Sequence, residues 1–214
     1  MILIDQRASL TFRFILLFGG LFLFSVATAL SLQCNLGASS WTVLHDGISE
    51  RTPLSIGIAT QLVGFLMIGV SLAAGIRPGF GTLANMVAIG VFLDLILWSG
   101  AIPEAQAYPV RVLMLLGGIV LLGLASALYI KAGFGAGPRD SFMLALHRRF
   151  GLRVSAARWL MEFSVTGLGI LLGGEFGIGT IIFAALVGPS VDFFFTLLRV
   201  RVPQRTVAVV TGDG

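Results

Sequence analysis

Six stretches of nearly unbroken apolar residues alternate with short polar breaks, near Phe14 to Leu32, Ser55 to Ala74, Thr82 to Trp98, Val112 to Ile130, Val154 to Gly173 and Thr180 to Leu198. A bilayer takes about 20 residues to cross as a helix, so the pattern predicts six transmembrane helices. Between the first and second stretch of each trio lies a longer mixed segment, NLGASSWTVLHDGISERTP and later GFGAGPRDSFMLALHRRFG. Ser40 to Ser49 and Pro138 to Phe150 within them read as short re-entrant or interfacial helices, too brief to span and too apolar for a solvated loop. Pro138 suits the first turn of such a helix, where a missing N–H costs nothing.

The two trios are copies. An offset of 98 residues superposes Arg13 through Asp94 on Arg111 through Asp192 without a gap, with 22 identities in 82 positions. Gly19 and Gly20 meet Gly117 and Gly118, Gly37 and Ala38 meet Gly135 and Ala136, and Gly79, Gly81 and Thr82 meet Gly177, Gly179 and Thr180. Internal repetition of this kind indicates duplication. Three crossings per unit send the second unit in from the opposite side, so the expected fold is an all-α membrane domain over 1–214. It comprises two inverted three-helix repeats, about 13–98 and 111–198, and a cytoplasmic tail from 199 to 214.

Charge placement fits that topology. With the N-terminus inside, the inner segments carry Arg7, Arg13, Arg77, Lys131, Arg139, Arg148, Arg149, Arg153, Arg158, Arg199, Arg201 and Arg205, and the outer ones only Arg51 and Arg111. Basic residues favour the cytoplasmic side. The expected location is therefore the bacterial plasma (inner) membrane, with both termini cytoplasmic. The composition agrees: 57% apolar, 11% charged, net charge +4 and mean hydropathy +0.99, far from a soluble domain. The basic excess flanks apolar runs rather than forming a face, which argues against nucleic acid as a partner. The first residues superficially resemble a secretory or lipoprotein signal. A second copy of the segment inside the chain argues against cleavage.

One cysteine, Cys34, excludes an intrachain disulfide and CxxC chemistry. His45 and His147 lack ligand spacing and read as ordinary loop residues, so no metal and no cofactor are expected. No nucleophile and base arrangement, P-loop or dinucleotide fingerprint appears, so the chain is not expected to be an enzyme. Asp94 and Asp192 occupy equivalent places in the third helix of each unit. An ionisable group within a span suggests a proton or cation carrier, and a position near a helix end instead suggests pairing with a connector residue or headgroup water. In GFGAGPRDS, Gly135 and Gly137 permit close backbone approach. The helix start after them, with Arg139 and Asp140, suits an anionic group, and a packing turn suits it equally. PGFGT and FGIGT read as tight turns with Thr82 and Thr180 as N-caps. Arg158 and Glu162, four apart, suit a local ion pair. Ser25 and Ala29, repeated as Gly123 and Ala127, suit close helix packing.

GFGAGPRDSFM, GIGT and VGPSVDFFF, with GASSWTVLHDGIS and PGFGTLAN in the first half, resemble the YczE-like and YitT-like multi-pass membrane proteins of bacteria. The resemblance covers roughly Arg13 to Leu198. It implies a plasma-membrane protein and brings no catalytic residues to carry over. Inverted repeats with broken segments are the architecture of secondary transporters. A small transporter or permease for a small solute is therefore the first expectation. The alternative is a non-transporting scaffold or accessory protein serving a membrane protein partner or a homo-oligomer in the lipid bilayer.

Overall fold

The computed structural model describes residues 9–73, 79–135, 137–139, 142 and 154–200, with the side chains of 154–159 and 192 outside that set. Among the described residues every regular element is helical: α1 (Leu10–Gln33), α2 (Ser40–Arg51), α3 (Ile56–Ala73), α4 (Phe80–Ser99), α5 (Tyr108–Lys131), α6 (Val154–Leu171) and α7 (Ile178–Leu197). Five of them, α1, α3, α4, α5 and α7, are long and apolar enough to cross a membrane. The sixth expected stretch is occupied by α6. Of the expected Pro138–Phe150 helix, only Pro138, Arg139 and Phe142 are described, and they are helical. The remainder, and the expected tail from 202 to 214, lie outside the described residues.

The outward faces carry large apolar side chains, including Leu66, Leu113, Phe163 and Leu171. Water would penalise so much exposed hydrocarbon, and lipid tails do not. Trp98 and Tyr108, 88% and 68% exposed, lie close to the ends of α4 and α5, where amphipathic rings suit a headgroup boundary. The chain is a membrane protein.

At the centre, α1 lies along α5, with α4 against α1 and α7 against α5. Beyond these, α3 packs on α4, and α2 lies against α3 and α6. With no hydrophobic drive between helices in lipid, close approach depends on small residues and interhelical hydrogen bonds. A Cβ at Gly20 would stand 2.7 Å from the Tyr129 amide nitrogen, and one at Gly118 would stand 3.1 Å from the Ala27 carbonyl oxygen. The α1–α4 crossing is tied by the Ser25 hydroxyl donating to Ile89 O at 3.1 Å, and α5–α7 by Ser190 donating to Ile119 O at 3.0 Å. In the second crossing Gly123 stands where Ser25 stands in the first, and the Ser190 side chain fills the space a Cβ there would occupy. The serine has changed helices and kept the interface.

Each connector is latched to the turn before the third helix of the other half. At one end of the bundle the Gly179 N–H donates to Leu36 O at 2.6 Å. At the other, the Gly81 N–H donates to Phe134 O at 2.8 Å. Donors and acceptors in these two bonds are related by the 98-residue offset. The bends beside them, Gly37 and Gly135, have φ of +103° and +121°, a region that favours glycine. One correction concerns Thr82 and Thr180. They are not N-caps but sit at the third helical position, where each Oγ1 accepts from the N–H of the capping glycine, Gly79 at 3.2 Å and Gly177 at 3.3 Å. This is one half of a capping box, with a threonine in the role of the usual glutamate.

Candidate functional site

The short helix α2 is built to be held inside the protein. Ser39 caps its start, accepting from the Thr42 N–H. Gly47 and Gly169 let α2 and α6 meet backbone to backbone, since a Cβ at Gly47 would stand 2.6 Å from Gly169 O. Its far end is pinned by the Glu175 N–H donating to Asp46 Oδ2 at 2.7 Å and by Arg51 Nε donating to Leu172 O at 3.0 Å. Burial beside Asp46 holds the Glu175 carboxyl, in the loop after α6, above the usual carboxylate range.

At the start of α2 three elements converge. Trp41, 4% exposed, donates from Nε1 to Glu162 Oε1 on α6 at 3.2 Å. The guanidinium carbon of the half-buried Arg139 lies 4.8 Å from the centroid of the same ring. A cation over an indole face is worth about 2 kcal/mol when water is excluded. Trp41 thus joins a cation on its face to a carboxylate at its edge, and Trp41 and Arg139 are equivalent positions in the 98-residue alignment. One helical turn further along α2, His45 is 3% exposed, with Nδ1 2.9 Å from Thr60 Oγ1 on α3. His45 is a correction: read as an ordinary loop residue, it is a buried helical one.

Among the residues singled out from the sequence, Gly137 and Arg139 belong to this cluster. Gly137 is buried, and a Cβ on it would stand 3.4 Å from the Tyr129 hydroxyl and 3.6 Å from Asn85 Oδ1. Gly135 is part of the latch, facing Gly79 and Thr82. Asp94 lies elsewhere. Its carboxylate accepts from the Gly57 N–H at 2.8 Å and from the Ser55 hydroxyl, satisfying free donors at the start of α3. Of the two readings for Asp94, the helix-end one describes its contacts. Asp192 lies on α7 with its side chain outside the described residues, and Asp140 lies outside them altogether. The Arg158 side chain is also outside, and Glu162 meets Trp41.

Sequence reasoning missed Trp41, His45, Thr60 and the partner of Glu162. A signal was available: Thr60 and Glu162 are polar positions within apolar helices, and such groups need a partner. Identifying that partner required contacts 15 and 121 residues away.

Residues 11–196 match the model of a family described as a family of unknown function, DUF6198. The chain belongs to that family. A Haemophilus influenzae protein named "Uncharacterized protein" is 38% identical over 190 residues, covering 89% of this chain and 85% of that one. The Bacillus subtilis "Uncharacterized membrane protein YczE" is 32% identical over 210 residues, covering 95% and 97%. A second Bacillus subtilis protein, YyaS, is 25% identical over 182 residues. The resemblance to YczE-like proteins therefore holds along nearly the whole chain. No solved structure matches it significantly.

Proposed function

We propose that this family member is a small-solute transporter or permease, built as six spans in two inverted repeats, with both termini cytoplasmic in the bacterial inner membrane. The observation that carries the reading is the meeting of the two connector segments, Arg139 on Trp41, inside a bundle whose ends are closed by equivalent latches. Broken helices that meet in the interior are the usual setting of transporter sites, where helix N-termini and a cation receive an anionic group. In this reading the solute's anionic end docks at Arg139. Opening the Leu36–Gly179 latch exposes the site to one side, and opening Phe134–Gly81 exposes it to the other. The roles of Asp140 and Asp192 as solute or coupling groups belong to the same proposal.

The test is flux of small carboxylates into liposomes holding the purified protein. Loss of flux in Arg139→Gln, with unfolding unchanged, is the expected result. Equal flux in Arg139→Gln rejects the site, and equal flux in Asp192→Asn rejects coupling through Asp192.

A second reading, a scaffold or accessory protein, is favoured by four glycines. A Cβ at Gly19, Gly117, Gly69 or Gly167 would meet nothing within 4 Å, although glycine weakens a helix. A membrane partner, or a second copy, lying on those faces would account for them. Co-purification of a stable partner, without flux of any tested carboxylate, supports that reading.

A further inference from the structure

His45 is wired so that one ring nitrogen is left facing the interior with nothing to hold. The Thr60 hydroxyl lies 2.8 Å from Ile56 O as well as 2.9 Å from His45 Nδ1. A carbonyl oxygen only accepts, so the single hydroxyl hydrogen goes to Ile56 O. The contact with the ring then requires Nδ1–H to donate to Thr60. That fixes the tautomer and leaves Nε2 as a bare lone pair. Nε2 is fully buried and has no hydrogen-bond partner among the described residues. A buried acceptor without a donor costs about 1–3 kcal/mol, and such groups call for an explanation.

The surroundings say what kind of donor fits. His45 follows Trp41 by four residues, so both lie on one face of α2, about 6 Å apart along its axis. Arg139 stands on Trp41, and its positive field reaches His45. That field opposes an ammonium donor at Nε2 and admits a neutral hydroxyl. The same guanidinium attracts a carboxylate at the other end of the gap. Two hydrogen bonds of about 2.8 Å and a chain of two or three carbons bridge a space of this size.

We infer that His45 Nε2 accepts a hydrogen bond from the hydroxyl of a small hydroxycarboxylate whose carboxylate pairs with Arg139. The inference rests on the site reading above and adds the solute class. Thr60 is a positioning residue that holds the acceptor tautomer.

The test uses the full chain in bilayers, labelled with ¹⁵N-histidine and carrying His147→Gln, so that His45 supplies the whole histidine signal. Glycolate and acetate, which share a carboxylate and differ by a hydroxyl, are the probes. The ligand-free protein should show protonated Nδ1 and an unbonded Nε2. Glycolate should shift the Nε2 resonance to the hydrogen-bonded position, acetate should not, and Arg139→Gln should weaken glycolate binding by roughly tenfold, equivalent to about 1.4 kcal/mol. Thr60→Val, in folded protein, should populate the Nε2–H tautomer and abolish the glycolate shift. An Nε2 already hydrogen-bonded without glycolate, by an ordered water only, overturns the inference. So do equal responses to the two acids or no response to glycolate. Glycolate flux, measured separately, keeps the two proposals distinct. A shift at His45 without flux removes transport and leaves this inference standing. Flux without a shift does the reverse.

Discussion

Replacing Asp94 by alanine removes two acceptors from the start of α3, the one for the Gly57 N–H at 2.8 Å and the one for the Ser55 hydroxyl. A hydrogen bond to a charged acceptor contributes about 1.5–3 kcal/mol, and the loss of a helix cap costs about 1 kcal/mol. Asp94 is only partly buried, so the low end applies and the two contributions together come to about 2–3 kcal/mol. For a chain of this length that corresponds to a fall in Tm of roughly 5–10 °C. Asp94→Asn keeps one acceptor oxygen and should lose about 1 kcal/mol. Thermal unfolding of the protein in mild detergent, followed by helical circular dichroism, reads both variants against the native chain. The same variants in liposomes separate structure from transport. If Asp94→Ala unfolds within about 0.5 kcal/mol of the native protein, Asp94 is not the cap of α3. If Asp94→Asn leaves unfolding unchanged and abolishes flux, the carboxylate is a carrier and the structural argument fails.

Gly179→Ala places a Cβ 2.6 Å from Leu36 O, and Gly81→Ala one 2.9 Å from Phe134 O; each should destabilise by about 1–3 kcal/mol through overpacking, measured by the same unfolding. Gly19→Ala meets nothing within 4 Å and should stabilise by about 0.5–1 kcal/mol in the isolated chain, a loss instead pointing to a covered face. Burial raises the Asp46 and Glu175 carboxyls above their ordinary values, so their protonated forms suit the fold. Their contribution is full below the unfolded-state values and is lost as pH rises through the raised ones. Hydrogen exchange at the Glu175 amide should therefore be better protected at pH 5 than at pH 7.5 after correction for intrinsic exchange rates, and Asp46→Asn should flatten that difference. Trp41→Phe keeps a ring beneath Arg139 and removes the donor to Glu162; it should cost about 1–3 kcal/mol, with Trp41→Leu costing more as the cation–π contact also goes.

Much of the fold was legible before any contact was known. The expected stretch from Phe14 to Leu32 stands as α1 (Leu10–Gln33), and the expected short helix from Ser40 to Ser49 as α2 (Ser40–Arg51). Both follow from hydropathy summed along consecutive residues, a local property of the chain. The duplication was legible too, because it is a relation of the sequence to itself. The glycine motifs marked places of close approach. What each glycine approaches was not written locally, and in Leu36 with Gly179 it is a residue of the other half.

The site was the least legible part. Asp94 stood out as a charge in a span, and contacts 37 residues away made it a helix cap. His45 looked unremarkable, and burial beside Thr60 and Trp41 made it the polar group with most to explain. By itself, then, the sequence determined that the chain enters a membrane, how many apolar segments it has and that they form two copies, because each of these is carried by composition and order. Only the tertiary structure decided which polar groups satisfy one another and which is left over. In a low-dielectric interior that is settled by partners distant in the chain, and an unmatched donor or acceptor exists only once the helices are packed.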